Sequence, residues 1–416
     1  MSVESSSGHT VIIGAGQAGV TTAEALRSGG YAGTITLLGD EPYGPYHRPP
    51  LSMACLAGEI TEGQLVMRAP EMLARKDISL RTSASVVAVD RDTRQVRLAD
   101  GETLPYTGLV FATGCSPRTL PIPGADASNV LPLRTRTDAS RIADLMAACG
   151  ESGAPVVVIG GGFIGLEVAA TARKKGLRVT VVEAAPRLLG RVLAPVLSEW
   201  YAALHRRHGV DLVLDARIAA IETAAHQAVG VRLADGRHLP CGLVVLGVGV
   251  TANDQLAVAA GLACDRGIIV DACARTTDPL IVAAGDCTAR RLVDGTLLRL
   301  ESVQNATEQA KSAAAALLGQ NRPFTATPWF WSDQYDKKLQ MAGLSGGADA
   351  WAVRGDLGSA SFSVYHFQAG RLIAVDSING AKDHLLARKL LEAGVSPAPS
   401  QASDPGFDLN TLLPMS

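Results

Sequence analysis

Short apolar runs recur along the chain, and two of them are followed by the same punctuation. In "TVIIGAGQAGVTTAEALRSGG" residues 11–13 read as a strand. Glycines follow at 14, 16 and 19, and the next apolar positions keep a helical period to Leu26. A second strand, "TITLLGDE", ends in Asp40 and Glu41. "APVVVIGGGFIGLEVAATARKKGLRVTVVEAAPRLLGR" repeats the pattern: a strand over 156–159, glycines at 160, 162 and 165, a helix, and a strand over 179–182 that ends in Glu183. Later, "LIVAAGDC" (280–287) is an apolar strand ending in Gly285-Asp286, and "VQNATEQAKSAAAALL" reads as a helix from Val303. From about residue 326 the pattern turns to alternation, in "WFWSDQY", "SFSVYHF" and "RLIAVDSI", as half-buried strands require. "SPAPSQASDPG" reads as a linker, with a short docking segment after it.

Each strand–glycine–helix unit has the chemistry of a dinucleotide site. The first glycine permits a tight turn, the second lets a pyrophosphate approach the backbone, and the third lets helix and strand pack closely. The helix N-terminus then offers unpaired N–H groups and partial positive charge. An acid about 20 residues on takes the ribose hydroxyls; Asp40 or Glu41 does so in the first unit and Glu183 in the second. Two such units imply two dinucleotides. A 2′-phosphate beside Glu183 would be repelled, so the second site favours NADH over NADPH, although Arg187 and Arg191 follow and either can meet a phosphate. Asp286, at a strand end, sits where ligands bind in open α/β sheets; a helix cap is its other reading.

The bulk numbers fit this picture. With 416 residues, 47% hydrophobic and 19% charged, the chain holds two or three well-cored α/β domains. A net charge of -2 argues against a nucleic-acid binder. The start, "MSVESSSGHT", lacks an apolar run, and the most apolar stretches are broken by glycines and Glu167, so a cytoplasmic location without membrane contact is expected. The seven cysteines form no C-x-x-C or C-x-x-x-x-C pair, which excludes a dithiol of usual spacing and a clustered metal site. Aromatics are only 4%, yet Trp329, Phe330, Trp331 and Tyr335 fall together, with both tryptophans on one face of a strand.

"RPPLS", "LVFATGCSPRTLPIPG", "LPLRTRTDA", "LIVAAGDC", "RLESVQNATEQAKSAAAALLG" and "PWFWSDQYDKKLQMAGL" together resemble the FAD- and NADH-dependent ferredoxin reductases, the group that includes putidaredoxin reductase. Rubredoxin reductase and apoptosis-inducing factor are more distant members of the same three-domain fold. The resemblance runs from about residue 11 to 379. It implies two Rossmann-like dinucleotide-binding domains of the glutathione-reductase-like fold and a C-terminal α+β domain. The FAD domain would be 10–122 with 250–325, the NAD domain 123–249, and the third domain 326–416. For FAD it implies Gly14, Gly16, Gly19, Asp40, Glu41, Arg48, Pro49, Val86, Thr113, Gly114, Arg134, Asp286 and Val303. For NADH it implies Gly160, Gly162, Ile164, Gly165, Glu183, Arg191 and Gly249. Glu167 and Met53 would lie near nicotinamide and flavin, and Trp331 beside the flavin where the acceptor docks.

The implied reaction carries a hydride from NADH to FAD and two single electrons onward to a small iron–sulfur ferredoxin, of two-iron type, serving a haem or non-haem bacterial oxygenase. The protein would be a monomer or weak dimer, with Arg290, Arg291, Lys337 and Lys338 as candidate docking charges. Two other readings stay open: an NADH oxidase or peroxidase using Cys55, and a redox-linked signalling flavoprotein. The family's "PPLSK" reads "PPLSM" here. Met53 in place of lysine removes a positive charge and leaves Glu167 without that partner, so an unpaired, protonated acid is expected. "GVTAND" also departs from the family, with Ala252 where proline is common, a change expected to matter little.

Overall fold

The computed structural model describes residues 8–414. Contacts group the described residues into two units: 8–47, 62–116 and 250–326 in one, and 48–61, 117–249 and 327–414 in the other. The segment 48–61, which holds the "RPPLS" motif, thus groups with the second unit, apart from its sequence neighbours.

The first unit is built on a five-stranded parallel sheet in the order Ile281–Ala283, Gly108–Phe111, His9–Ile13, Thr34–Leu38, Ile78–Arg81. The inner strands are near-continuous apolar runs because both sheet faces are covered. Helices Gln17–Ser28 and Val303–Leu317 supply one cover, through Ala23, Leu26, Ala310 and Ala313. On the other side Val11, Leu38, Phe111 and Ile281 pack with Val96 and Leu98 of a small antiparallel sheet. Each such fully buried large side chain contributes about 1.5–3 kcal/mol.

The second unit repeats the plan, with parallel order Val210–Val213, Val179–Val182, Val156–Ile159, Leu243–Leu246, Val130–Pro132. Its Arg136–Ser152 helix opens with a capping box between Thr135 and Asp138. The same unit carries a five-stranded antiparallel sheet, ordered Trp329–Gln334, Lys337–Gly343, Arg371–Ile378, Phe362–Gln368, Ala350–Gly355 and covered by helix Ala381–Glu392.

The tail is not a linker. Ala402 and Leu409 are fully buried against this sheet, and the Arg354 guanidinium donates to the carbonyls of Ala402, Asp404, Pro405 and Phe407. Four hydrogen bonds from one planar guanidinium hold a segment whose composition alone suggests no structure. Among the described residues no helix is long and apolar enough to cross a membrane.

Candidate functional site: two glycine cradles and a buried glutamate

In the first unit, Gly14 has φ +111°, and a Cβ there would run into the Ala112 carbonyl; a Cβ on Gly19 would meet the Gly14 carbonyl. Gly16 is different, since a Cβ there would meet no protein atom within 4 Å. Two glycines therefore serve packing and the middle one fronts open space at the N-terminus of the Gln17–Ser28 helix, as a pyrophosphate requires. At the end of the next strand Asp40 is exposed and Glu41 half-buried, its Oε2 accepting the Tyr46 hydroxyl at 2.6 Å.

Asn253 ties together the strand end across from these glycines. Thr113 Oγ1 donates to the Asn253 carbonyl at 2.6 Å, and Asn253 Nδ2 donates to the Thr113 carbonyl at 2.9 Å. Its N–H donates to Gly114, and Ser116 donates to its Oδ1. Asp286 follows strand Ile281–Ala283, with Cys115 Sγ donating to its Oδ2 at 3.2 Å. The helix-cap reading of Asp286 does not hold, because Ser302 caps the Val303–Leu317 helix, putting Val303 in its first turn. Gln309 of that helix fixes the preceding turn, its Oε1 accepting Gly285 N–H and the Thr288 hydroxyl, each at 2.9 Å. Val86 is half-buried at the start of strand Val86–Asp90.

The second unit holds an equivalent cradle. Gly160 has φ +109° and abuts the Gly247 carbonyl, Gly165 abuts the Gly160 carbonyl, and Gly162 again faces no protein atom within 4 Å. Glu183 is held by two backbone donors, Gly161 N–H to Oε2 at 2.6 Å and Ala185 N–H to Oε1 at 2.7 Å. Arg187 points into its own loop, donating to the Leu193 and Gly190 carbonyls and to Ser198 Oγ. These three bonds hold its guanidinium against the loop and the following helix. Arg191 is exposed, with its guanidinium beside Gly249, and Ile164 leaves 44% of its surface uncovered at the helix start. Arg48 donates to the Arg134 carbonyl at 2.8 Å, just before the Pro49–Ser52 turn, so these two predicted FAD contacts are brought together.

Glu167 lies in the Phe163–Lys174 helix and is only 4% exposed. The expectation of an unpaired acid is corrected: Ser52 Oγ lies 2.5 Å from its Oε2 and Ser332 Oγ 2.6 Å from its Oε1. Burial pushes the Glu167 pKa up to about 7, opposed by the two hydroxyls. Thr171, one turn along, donates to the Ser52 carbonyl at 2.9 Å and fixes the motif to the same helix face. Met53 is half-buried next in sequence, and Cys55 is half-buried in the short helix Ala54–Ala57.

Trp331 lies on the edge strand Trp329–Gln334, where the two tryptophan rings sit 5.6 Å apart on one side and Phe330 meets Phe163 at 4.8 Å on the other. Two candidate docking charges are otherwise engaged. Arg290 donates to the Phe324 carbonyl and lies over its ring, and Lys337 pairs with Asp336 at 2.6 Å. Arg291 and Lys338 remain exposed. Ser52, Ser332, Asn253 and Gln309 were missed by sequence reasoning. Each lies in a stretch quoted above, but Ser332, Asn253 and Gln309 act through partners 21 to 165 residues away, which no local pattern marks.

Paired cradles of this geometry define a flavin- and pyridine-nucleotide-dependent oxidoreductase. The chain belongs to the pyridine nucleotide-disulphide oxidoreductase family, whose pattern matches residues 8–310, and a "reductase C-terminal" pattern matches residues 329–413. It is 46% identical to rhodocoxin reductase of Rhodococcus erythropolis over 97% of this chain and 94% of that one. Among solved structures it is similar to a ferredoxin reductase from Rhodopseudomonas palustris, with TM-score 0.93 and 43% identity over 97% of this chain and 99% of the other. It is also similar to putidaredoxin reductase in covalent complex with putidaredoxin, with TM-score 0.93 and 41% identity over 97% and 98%. FAD and NAD(P)H are the cofactors this family implies, and both glycine cradles fit them.

Proposed function

We propose that this protein is an FAD-dependent NADH:ferredoxin oxidoreductase whose electrons pass to a small two-iron ferredoxin of an oxygenase system. The observation that carries it is the pair of cradles in which only Gly16 and Gly162 face open space. The likeness to reductases named for redoxin and ferredoxin partners supplies the acceptor class. Bound FAD supplies hydride acceptance and single-electron release.

The chain's own residues bind and orient. Gly14, Gly16 and Gly19 hold the FAD pyrophosphate, Asp40 and Glu41 its ribose, and Arg48, Pro49, Val86 and Arg134 the adenosine-diphosphate half. Thr113, Gly114, Asp286 and Val303 line the remainder. Gly160, Gly162, Ile164, Gly165, Glu183, Arg191 and Gly249 bind NADH. Glu183, anchored by two N–H donors, presents fixed negative charge that a 2′-phosphate would oppose. Glu167 and Met53 are the residues proposed to act on bound nicotinamide and flavin, and Trp331 the one proposed to serve the acceptor. The domains are 10–122 with 250–325, 123–249, and 326–416, and the protein works in the cytoplasm as a monomer or weak dimer.

Stopped-flow reduction by NADH and by NADPH tests the donor, and a ferredoxin panel with cytochrome c readout tests the acceptor. Fast NADH reduction with ferredoxin-dependent cytochrome c turnover is expected. Turnover with oxygen or peroxide that is lost on alkylating Cys55 would instead establish the oxidase or peroxidase reading.

A further inference from the structure

A line of buried polar side chains leads away from Glu167. Ser332 Oγ lies 3.2 Å from Gln334 Nε2, Gln334 Oε1 lies 2.8 Å from His205 Nε2, and His205 Nδ1 lies 3.1 Å from the Tyr335 hydroxyl. Ser332, Gln334 and His205 are each no more than 1% exposed, and the His208 ring stacks on Tyr335 at 3.7 Å.

With the Gln334 carboxamide nitrogen toward Ser332 and its oxygen toward His205, donor and acceptor capacity gives this line one direction. A carboxamide oxygen only accepts, so His205 carries its proton on Nε2, and Nδ1 must accept from Tyr335. A carboxamide nitrogen only donates, so Ser332 Oγ accepts from Gln334 and turns its own proton to Glu167 Oε1. That oxygen is then occupied as an acceptor. A proton on Glu167 belongs on Oε2, where it is given to Ser52 Oγ, whose hydroxyl turns to the Pro49 carbonyl at 3.4 Å. When Glu167 is ionised, Ser52 turns back and donates to Oε2.

We propose that Tyr335, His205, Gln334 and Ser332 are positioning residues, forming a one-way donor chain that ends on Glu167 Oε1 and makes Oε2, opposite Ser52, the atom that gains and loses the proton. The proton comes from solvent and returns to it, and only O–H bonds change. Its use rests on the functional reading above: a carboxyl that takes up a proton beside the flavin offsets the charge that arrives with the hydride.

Burial holds His205 neutral, with a pKa lowered to about 4, and His208 adds to this. Tyr201, on the same helix as His205, is kept protonated by burial and by Asp376, Glu167 and Asp333. Asp333, next to Ser332, is raised by burial and restrained by Lys338.

The test is infrared titration of the holoprotein, with the protonated carboxyl band assigned by its loss in Glu167→Gln. Ser332→Ala is expected to raise the band's midpoint by about one pH unit, because the carboxylate loses a donor. Ser52→Ala is expected to shift the band's frequency, because the proton loses its acceptor, while the midpoint moves less. Tyr335→Phe, at the half-buried chain end, keeps the fold and is expected to raise the midpoint by a smaller amount. Equal effects of the two serine variants, or an unmoved midpoint in Tyr335→Phe, would overturn the chain. Reducing the flavin separates the two readings. A midpoint that ignores reduction while the variants behave as stated rejects the placement of Glu167 beside flavin and keeps the chain.

Discussion

Ser52 and Glu167 stand 115 residues apart in sequence, and their side-chain oxygens lie 2.5 Å apart in a site almost closed to solvent. The contact joins the "RPPLS" turn to the first turns of the second fingerprint helix, with Thr171 making the second tie. A carboxyl at this position is stabilised by neutral hydroxyls, which favour the ionised form less than a paired cation does.

The buried acid makes stability depend on pH. The folded pKa of Glu167, about 7, lies above the ordinary 4.5, so its ionisation is penalised only in the folded chain. Below pH 4.5 the penalty is absent; it grows as pH rises and is complete above 7, reaching roughly 3 kcal/mol. Glu167→Gln is therefore expected to gain stability over the parent at pH 8 and to gain little at pH 5. Urea unfolding at the two pH values measures this, and an equal difference at both rejects it.

Met53 follows Ser52 directly, and Met53→Lys would return a cation to this neighbourhood. The flavin potential is expected to rise by about 30 mV, equivalent to about 1.4 kcal/mol for a two-electron couple. NADH reduction is expected to speed up. Potentiometry with stopped-flow decides, and no change in either quantity removes Met53 from the electrostatics of the site.

Glu183 is the proposed determinant of coenzyme choice, and Arg187 is held in its own loop. Replacing Glu183 with alanine is expected to lower the NADH-to-NADPH ratio of kcat/KM by about 10- to 100-fold, the worth of one or two hydrogen bonds to a charged group. Arg187→Ala is expected to lower thermal stability and leave the ratio alone. A ratio that shifts in Arg187→Ala and holds in Glu183→Ala reverses the assignment.

Asn253 stitches the Thr113–Ser116 segment through four hydrogen bonds. In Asn253→Ala the part-buried Thr113 carbonyl loses its donor, at about 1–3 kcal/mol for a group left unsatisfied, while the exposed Ser116 hydroxyl turns to water. Faster FAD loss on dilution is expected, followed by the rise of free-flavin fluorescence. Retention equal to the parent would show that the segment is held without it.

Local pattern was enough for the two fingerprints, because a strand, three glycines and a helix lie within some 20 residues, although the carbonyls that demand Gly14 and Gly160 belong to the distant residues Ala112 and Gly247. The acids at the strand ends and the alternation of the C-terminal strands were legible for the same reason. The tail from 396 misled, since its composition carries no period and its order comes from Arg354 and from Ala402 and Leu409 packing into a distant core. The four proposed docking charges were equally opaque, because sequence lists a cation without its partner, and Phe324 and Asp336 claim two of them.

The sequence by itself determined the class of fold, the two dinucleotide sites and the lack of a cysteine pair of usual dithiol spacing, all properties of residues close together along the chain. The tertiary structure alone decided how Glu167 lives without a lysine. Its partners come from a turn before it and a strand far after it. A buried carboxyl is governed by which groups surround it in space, and no spacing along the chain encodes that.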